Sequence, residues 1–130
     1  MLFRSDLLAL SDILICALPL TDATRHILNA DSFAKLPRGA AVVNMGRGGH
    51  LDQAALLAAL DSGQVGAAML DVTDPEPLPP EHPLWRTPGV LITPHVGGDT
   101  TAFEPRARRM VAEQLRRWST GLPLAGVIRP

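Results

Sequence analysis

Apolar residues concentrate in four short runs along the chain, separated by polar, glycine-containing or proline-containing segments. The runs cover residues 13–18, 40–44, 65–70 and 90–93. Continuous apolar runs of this length are typical of strands that are buried on both faces of a parallel sheet. Proline at position 19 and the glycines after residue 44 would end the first two strands.

Helical spacing fills most of the segments between these runs. It predicts helices over residues 3–10, 21–28 and 30–36, with Asn29 as the cap of the third. A further helix is predicted over residues 53–61, begun by Asp52 and ended near Gly63. The last predicted helix covers residues 103–119 and ends near Gly121, with apolar residues along one stripe. Strands that alternate with helices indicate an α/β fold with right-handed crossovers and a parallel sheet.

Composition narrows the class of protein. Hydrophobic residues make up 46% of the chain and charged residues 19%, which is typical of a globular domain. The formal net charge of −1 gives no basic excess for nucleic acid or for an anionic membrane, and neither is an expected partner. The single cysteine excludes an internal disulfide, and no metal site is expected. We expect a cytoplasmic protein, since no apolar run approaches the ~20 residues of a membrane helix.

Charged side chains follow three of the predicted strands at the point where each strand ends. Arg47 lies three residues beyond the second strand, Asp71 follows the third, and His95 follows the fourth. The carboxyl ends of parallel strands meet at one sheet edge, which is where ligands bind in open α/β sheets. Glu76 begins a proline-rich irregular segment over residues 72–89 and could reach the same edge. Segments of that kind inside a compact domain are usually functional or disordered.

These residue types suit the reduction of a carbonyl group beside a carboxylate. Histidine can supply a proton near neutral pH, and a neighbouring carboxylate such as Glu76 would fix its tautomer. The arginine fork can hold a carboxylate through two parallel hydrogen bonds. Taken singly, Arg47 could be a surface ion-pair partner, His95 a turn residue, and Asp71 and Glu76 solvated loop acids.

Three motifs make the chain similar to the D-2-hydroxyacid dehydrogenases. They are VNMGRGG from Val43, LDVTDPEPLP from Leu70 and TPHVGG from Thr93. The LPLT run from Leu18 and the helix that ends at Gly63 match as well, so the resemblance covers nearly the whole chain. Within the family, His50, the DSG sequence ending at Gly63 and the PLW sequence ending at Trp85 most resemble glyoxylate/hydroxypyruvate reductases.

The resemblance implies a role for each site residue. Arg47 would hold the substrate carboxylate, His95 would donate the proton, and Glu76 would be its partner. Asp71 would contact the nicotinamide carboxamide, and His50 would line the cofactor crevice. The residues that the resemblance places along NAD or NADP are Leu18, Pro19, Leu20, Met45, Gly46, Arg47, Asp71, His95 and Gly97.

The resemblance also implies a Rossmann-like domain that is seen only in part. No glycine precedes Gly39, so the glycine-rich phosphate loop is not in the chain and is expected upstream. We expect a partial NAD(P)-binding domain with the catalytic residues over residues 1–120 and a tail over residues 121–130. The implied activity is hydride transfer between NAD(P)H and a short 2-oxoacid such as glyoxylate or hydroxypyruvate, with a homodimer as the full-length form. The alternative is a catalytically silent fragment or a nicotinamide-sensing binding module of the same fold.

Overall fold

A computed structural model describes residues 4–127 and contains four parallel strands in the order β1-β2-β3-β4. The strands are β1 (Ile13–Cys16), β2 (Ala40–Asn44), β3 (Val65–Leu70) and β4 (Val90–Ile92). The α-helices are α1 (Arg4–Ala9), α2 (Ala30–Phe33), α3 (Gln53–Asp61) and α4 (Phe103–Ser119). The predicted α/β fold with a parallel sheet is therefore confirmed. Phe3, at which the first predicted helix begins, lies outside the described residues.

The chain divides into two compact units, one that ends at Val96 and one that begins at Gly97. In the second unit, the Gln114 side chain of α4 exchanges two hydrogen bonds with the backbone of Ala125, of 2.7 and 3.0 Å. The domain boundary expected at residue 120 stays a prediction. No helix among residues 4–127 has both the length and the apolar character needed to cross a membrane.

The core of the first unit lies on one face of the sheet. Val42 and Leu70 from the strands pack there with Phe33 of α2 and Leu56 of α3, all with at most 1% of their surface exposed. Asp52 begins α3 because its carboxylate accepts the Ala55 amide, at 3.0 Å. These contacts hold the carboxyl ends of β2 and β3 side by side, with Asn44 paired to Leu70.

The opposite face of the sheet carries exposed apolar side chains, which corrects the expectation that β1 is buried on both faces. The register aligns Ile15, Val43, Met69 and Leu91 across the four strands. Ile15 and Leu91 keep 59% and 57% of their surface exposed. β1 also ends two residues earlier than predicted. The Met45 amide still bonds to the Cys16 carbonyl, but the residues after Cys16 no longer pair with β2.

The helix predicted over residues 21–28 is wrong. Thr21 accepts the amide of Arg25 in a single turn, and His26 then takes a left-handed backbone with φ +48°. The amides of His26 and Leu28 bond instead to carbonyls of Gly49 and His50, at 2.9 and 3.0 Å. Long-range pairing therefore replaces the helix and fastens this loop beside the segment that follows β2. The third predicted helix is also shorter than expected, since α2 ends at Phe33.

Candidate active site

His95 and Glu76 form the most direct contact at the carboxyl edge of the sheet. Nδ1 of His95 lies 2.7 Å from Oε1 of Glu76, and both side chains remain partly exposed. The other carboxylate oxygen of Glu76 accepts the Thr73 amide at 3.4 Å. The hydrogen bond from His95 is the main reason why the pKa of Glu76 falls below its ordinary value of 4.5. An ionised Glu76 keeps the proton on Nδ1, so Nε2 is the ring nitrogen available to a ligand.

Asp71 shapes the turn that presents His95. It is 5% exposed, and its Oδ1 accepts the Thr93 hydroxyl at 2.6 Å and the Val96 amide at 2.9 Å. His95 itself has a φ of +57°, a backbone conformation that non-glycine residues adopt at a cost and often at functional sites. The reading of Asp71 as a solvated loop acid is therefore wrong, whereas its contact with a nicotinamide stays a prediction.

Arg47 reaches the same site from the loop after β2. Its positive charge contributes to the lowered pKa of Glu76, although less than His95 does. Its Nη1 donates to the carbonyl of Gly46, at 2.6 Å, and the residue is exposed. The neighbouring Gly48 lies against the backbone of Thr73, which joins the arginine loop to the segment that carries Glu76. The structure thus brings together the three residues that the sequence predicts for catalysis.

Two depressions in the first unit contain most of the predicted cofactor residues. One, of about 400 Å³, is lined by Asp71, Glu76 and His95 together with Trp85. The other, of about 580 Å³, is lined by the remaining predicted residues of this unit, namely Leu18, Pro19, Leu20, Met45, Gly46 and Arg47. Gly97 belongs to the second unit, and its role as a cofactor residue stays a prediction.

Exposed apolar side chains make the second depression suitable for a flat aromatic ring. Leu18, Leu20 and Met45 keep 44%, 36% and 43% of their surface exposed there. Thr24 holds this loop in place by donating its hydroxyl to the carbonyl of Pro19, at 2.8 Å. Apolar surface of this kind at the carboxyl edge of a parallel sheet fits the nicotinamide end of a dinucleotide.

Two buried polar residues, Asn44 and His50, lie beside Arg47, and of these only His50 was singled out from the sequence. Asn44 and His50 are both 0% exposed, so the expectation that His50 lines the cofactor crevice is wrong. Both bond to the backbone of Arg47 rather than facing a cleft. The available signal was a polar residue on each side of the arginine in a segment otherwise made of apolar residues and glycine.

Comparisons with known proteins show the family and the fold of the chain. Residues 4–97 match the family model described as D-isomer specific 2-hydroxyacid dehydrogenase, NAD binding domain. Glyoxylate/hydroxypyruvate reductase A of Salmonella choleraesuis is 44% identical over 116 residues, which cover 89% of this chain and 36% of that protein.

Solved structures show the same fold. A D-isomer specific 2-hydroxyacid dehydrogenase from Xanthobacter autotrophicus, in complex with NADPH and MES, superposes with a TM-score of 0.88 at 43% identity, over 98% of this chain and 52% of that one. An NADPH-dependent glyoxylate/hydroxypyruvate reductase from Sinorhizobium meliloti, in complex with NADP and sulfate, gives a TM-score of 0.87 at 41% identity, over 96% and 40%. The chain thus spans about half or less of the length of these relatives.

Proposed function

Because the chain belongs to the D-isomer specific 2-hydroxyacid dehydrogenase family through its NAD-binding domain, we propose that it acts in the reduction of a short 2-oxoacid, such as glyoxylate or hydroxypyruvate, by NADH or NADPH. The observation that carries this proposal is the His95–Glu76 pair, 2.7 Å apart, with the exposed residue Arg47 near enough for its charge to act on Glu76. Both parts of a 2-oxoacid then have a partner, since the carboxylate meets Arg47 and the carbonyl oxygen meets His95.

The proposed reaction converts the carbonyl group to a hydroxyl group. The nicotinamide, when bound, supplies the hydride for the carbonyl carbon. His95 gives the proton on Nε2 to the carbonyl oxygen, and the adjacent carboxylate of Glu76 stabilises the protonated imidazole beforehand. Arg47 holds the substrate carboxylate through a charge-assisted pair of hydrogen bonds, which orients the carbonyl carbon. Leu18, Leu20 and Met45 would offer the nicotinamide ring an apolar surface.

The proposed site favours turnover over nicotinamide sensing. A sensing module needs a cofactor surface but has no use for a proton donor or a carboxylate clamp. His95 and Glu76 are in contact, and the charge of Arg47 acts on Glu76. The presence of all three residues in one site supports the reductase. We further propose a homodimer in the full-length form, which rests on the family resemblance, and a cytoplasmic protein, which rests on apolar runs far shorter than a membrane helix needs. Sedimentation of the full-length form would test the dimer.

The substrate class can be tested by removing one group at a time. Oxidation of NADPH and NADH is followed with glyoxylate, and separately with glycolaldehyde, an aldehyde that lacks a carboxylate. The proposal predicts a strong preference for glyoxylate in the wild-type chain and its loss in Arg47→Ala. Equal rates for both aldehydes in the wild type would contradict the role of a 2-oxoacid as substrate.

A further inference from the structure

The imidazole of His50 lies directly behind the Arg47 backbone. The ring is completely buried at the end of a short 3₁₀ turn, Gly48–His50. The amide of Arg47 donates to its Nδ1 at 3.0 Å. Nδ1 also lies 3.1 Å from the Arg47 carbonyl oxygen. It accepts from the amide when the ring carries its proton on Nε2, and it donates to the carbonyl when the proton is on Nδ1. The shorter contact with the amide favours the tautomer in which His50 faces Arg47 as an acceptor.

Asn44 holds the other side of the same residue. Its Nδ2 donates to the Arg47 carbonyl at 3.0 Å, and its Oδ1 accepts the Gly46 amide at 3.2 Å. Arg47 has an extended backbone, with φ −146° and ψ 151°. The peptide groups on both sides of its Cα are thus tied to buried side chains, whereas Arg47 as a whole is exposed. The backbone direction of Arg47 determines where the guanidinium can reach.

Packing alone does not explain an imidazole at position 50. The ring lies so close to Gly46 that a Cβ there would meet its Cε1 at 2.9 Å, and it therefore fills the space behind this loop. Its Nε2 is buried and has no hydrogen-bond partner among the described residues. An apolar side chain of similar size would fill the same space without burying an unpaired donor. The acceptor at Nδ1 is the property that such a side chain lacks.

We propose that His50 is a positioning residue for the 2-oxoacid site, which holds the Arg47 amide so that the guanidinium is presented to the substrate carboxylate. This role rests on the proposed function, because it assumes that Arg47 binds a carboxylate. His50 touches neither substrate nor cofactor and acts only through Arg47. A correctly placed arginine needs less reorganisation when the substrate binds, so the effect falls mainly on substrate affinity.

Two variants separate this role from simple packing. His50→Leu keeps an apolar side chain in the space but removes the acceptor, whereas His50→Asn places an amide oxygen close to the position of Nδ1. The tautomer of His50 is measured by nitrogen-15 NMR of the labelled 130-residue chain. Hydrogen exchange of the Arg47 amide is followed in all three proteins, with the Leu28 amide as internal control because it donates to the backbone carbonyl of His50 at 3.0 Å.

We expect the proton on Nε2 in the wild type. In His50→Leu, exchange of the Arg47 amide should accelerate by about tenfold, as for the loss of one hydrogen bond, while that of Leu28 stays unchanged. The KM for glyoxylate should rise by about tenfold with a smaller change in kcat, and His50→Asn should restore both values. A proton on Nδ1, or unchanged Arg47 exchange in His50→Leu, would overturn the proposal.

The two proposals fail in different ways. If the wild-type chain does not reduce glyoxylate, the proposed function fails, and the tautomer and the exchange rates still decide whether His50 positions Arg47. If glyoxylate is reduced but His50→Leu leaves KM unchanged, the reductase stands and the positioning role falls. Should His50→Leu fail to fold, the wild-type tautomer and the rescue by His50→Asn carry the decision.

Discussion

Gly48→Ala tests whether the arginine loop and the glutamate segment form one site. A Cβ at position 48 would lie 1.9 Å from the carbonyl oxygen and 2.1 Å from the carbonyl carbon of Thr73, and 2.7 Å from the amide nitrogen of Asp74. All three are backbone atoms, so no side-chain rotation relieves the clash. The two segments must separate by about 1 Å before the contact with the oxygen reaches even a tight van der Waals distance.

The displacement would separate the partners of the proposed reaction. Arg47 precedes Gly48, and the Thr73 amide donates to Glu76, which in turn holds His95. Misplacement of catalytic groups by 1 Å can cost about 100-fold in rate, so we expect kcat/KM for glyoxylate to fall by about that factor. The forced packing should also lower the free energy of unfolding by about 1–3 kcal/mol.

Gly49→Ala provides the matched control. Its Cβ would meet Leu20 Cδ2 at 3.1 Å and Arg25 Nη1 at 3.2 Å, both at the ends of flexible side chains. The assays are initial rates with glyoxylate and urea denaturation for each variant. The reasoning is refuted if Gly48→Ala matches Gly49→Ala in both kcat/KM and stability.

Three further substitutions and one control probe the individual roles. Arg47→Ala should raise the KM for glyoxylate by about 100-fold through loss of charge-assisted hydrogen bonds. Arg38→Ala, at the opposite end of β2, should leave the KM unchanged. Equal KM values for the two variants would exclude Arg47 as the partner of the substrate carboxylate. His95→Ala should lower kcat by roughly 1000-fold with little change in KM, and a wild-type kcat would exclude it as proton donor. The same His95→Ala variant should return the lowered pKa of Glu76 towards its ordinary 4.5, as measured by carbon-13 NMR of its carboxyl group. The pKa of Glu76 is lower in the folded than in the unfolded state. The stability gained from its pair with His95 is therefore present above the unfolded-state pKa and is lost as pH falls through the folded-state pKa. Chemical denaturation across that acidic range should show this loss in the wild type and not in Glu76→Gln.

Elements with local signals at their ends were predicted to the residue. The bounds of β2, α3, β3 and α4 agree with the structure. For α3, the Asp52 cap and Gly63, with φ +71°, mark both ends in the sequence itself. The failed helix over residues 21–28 shows the limit of such signals. Its backbone is held by Gly49 and His50, more than twenty residues away, and no local pattern reveals that pairing.

The candidate site was predictable to a similar extent. Placement of Arg47, Asp71 and His95 at one edge followed from strands that end before each of them. The burial of His50 and Asp71 was harder to predict from the sequence, since it depends on how their loops fold over the sheet edge. The contact between Gly48 and Thr73 likewise joins two loops that the sequence only shows to be separate. The positions of the side chains along the sequence thus predicted which of them meet at the sheet edge. The packing between loops determines how these side chains are held in place.

The central claim is that the site around Arg47, Glu76 and His95 reduces a 2-oxoacid with a nicotinamide cofactor. The most direct measurement is the consumption of NADPH and of NADH by the full-length form, in which the glycine-rich loop is expected, with glyoxylate or hydroxypyruvate, beside its His95→Ala variant. We predict cofactor oxidation that depends on the oxoacid and is lost in the variant. A folded full-length form that oxidises neither cofactor with either oxoacid would contradict the claim.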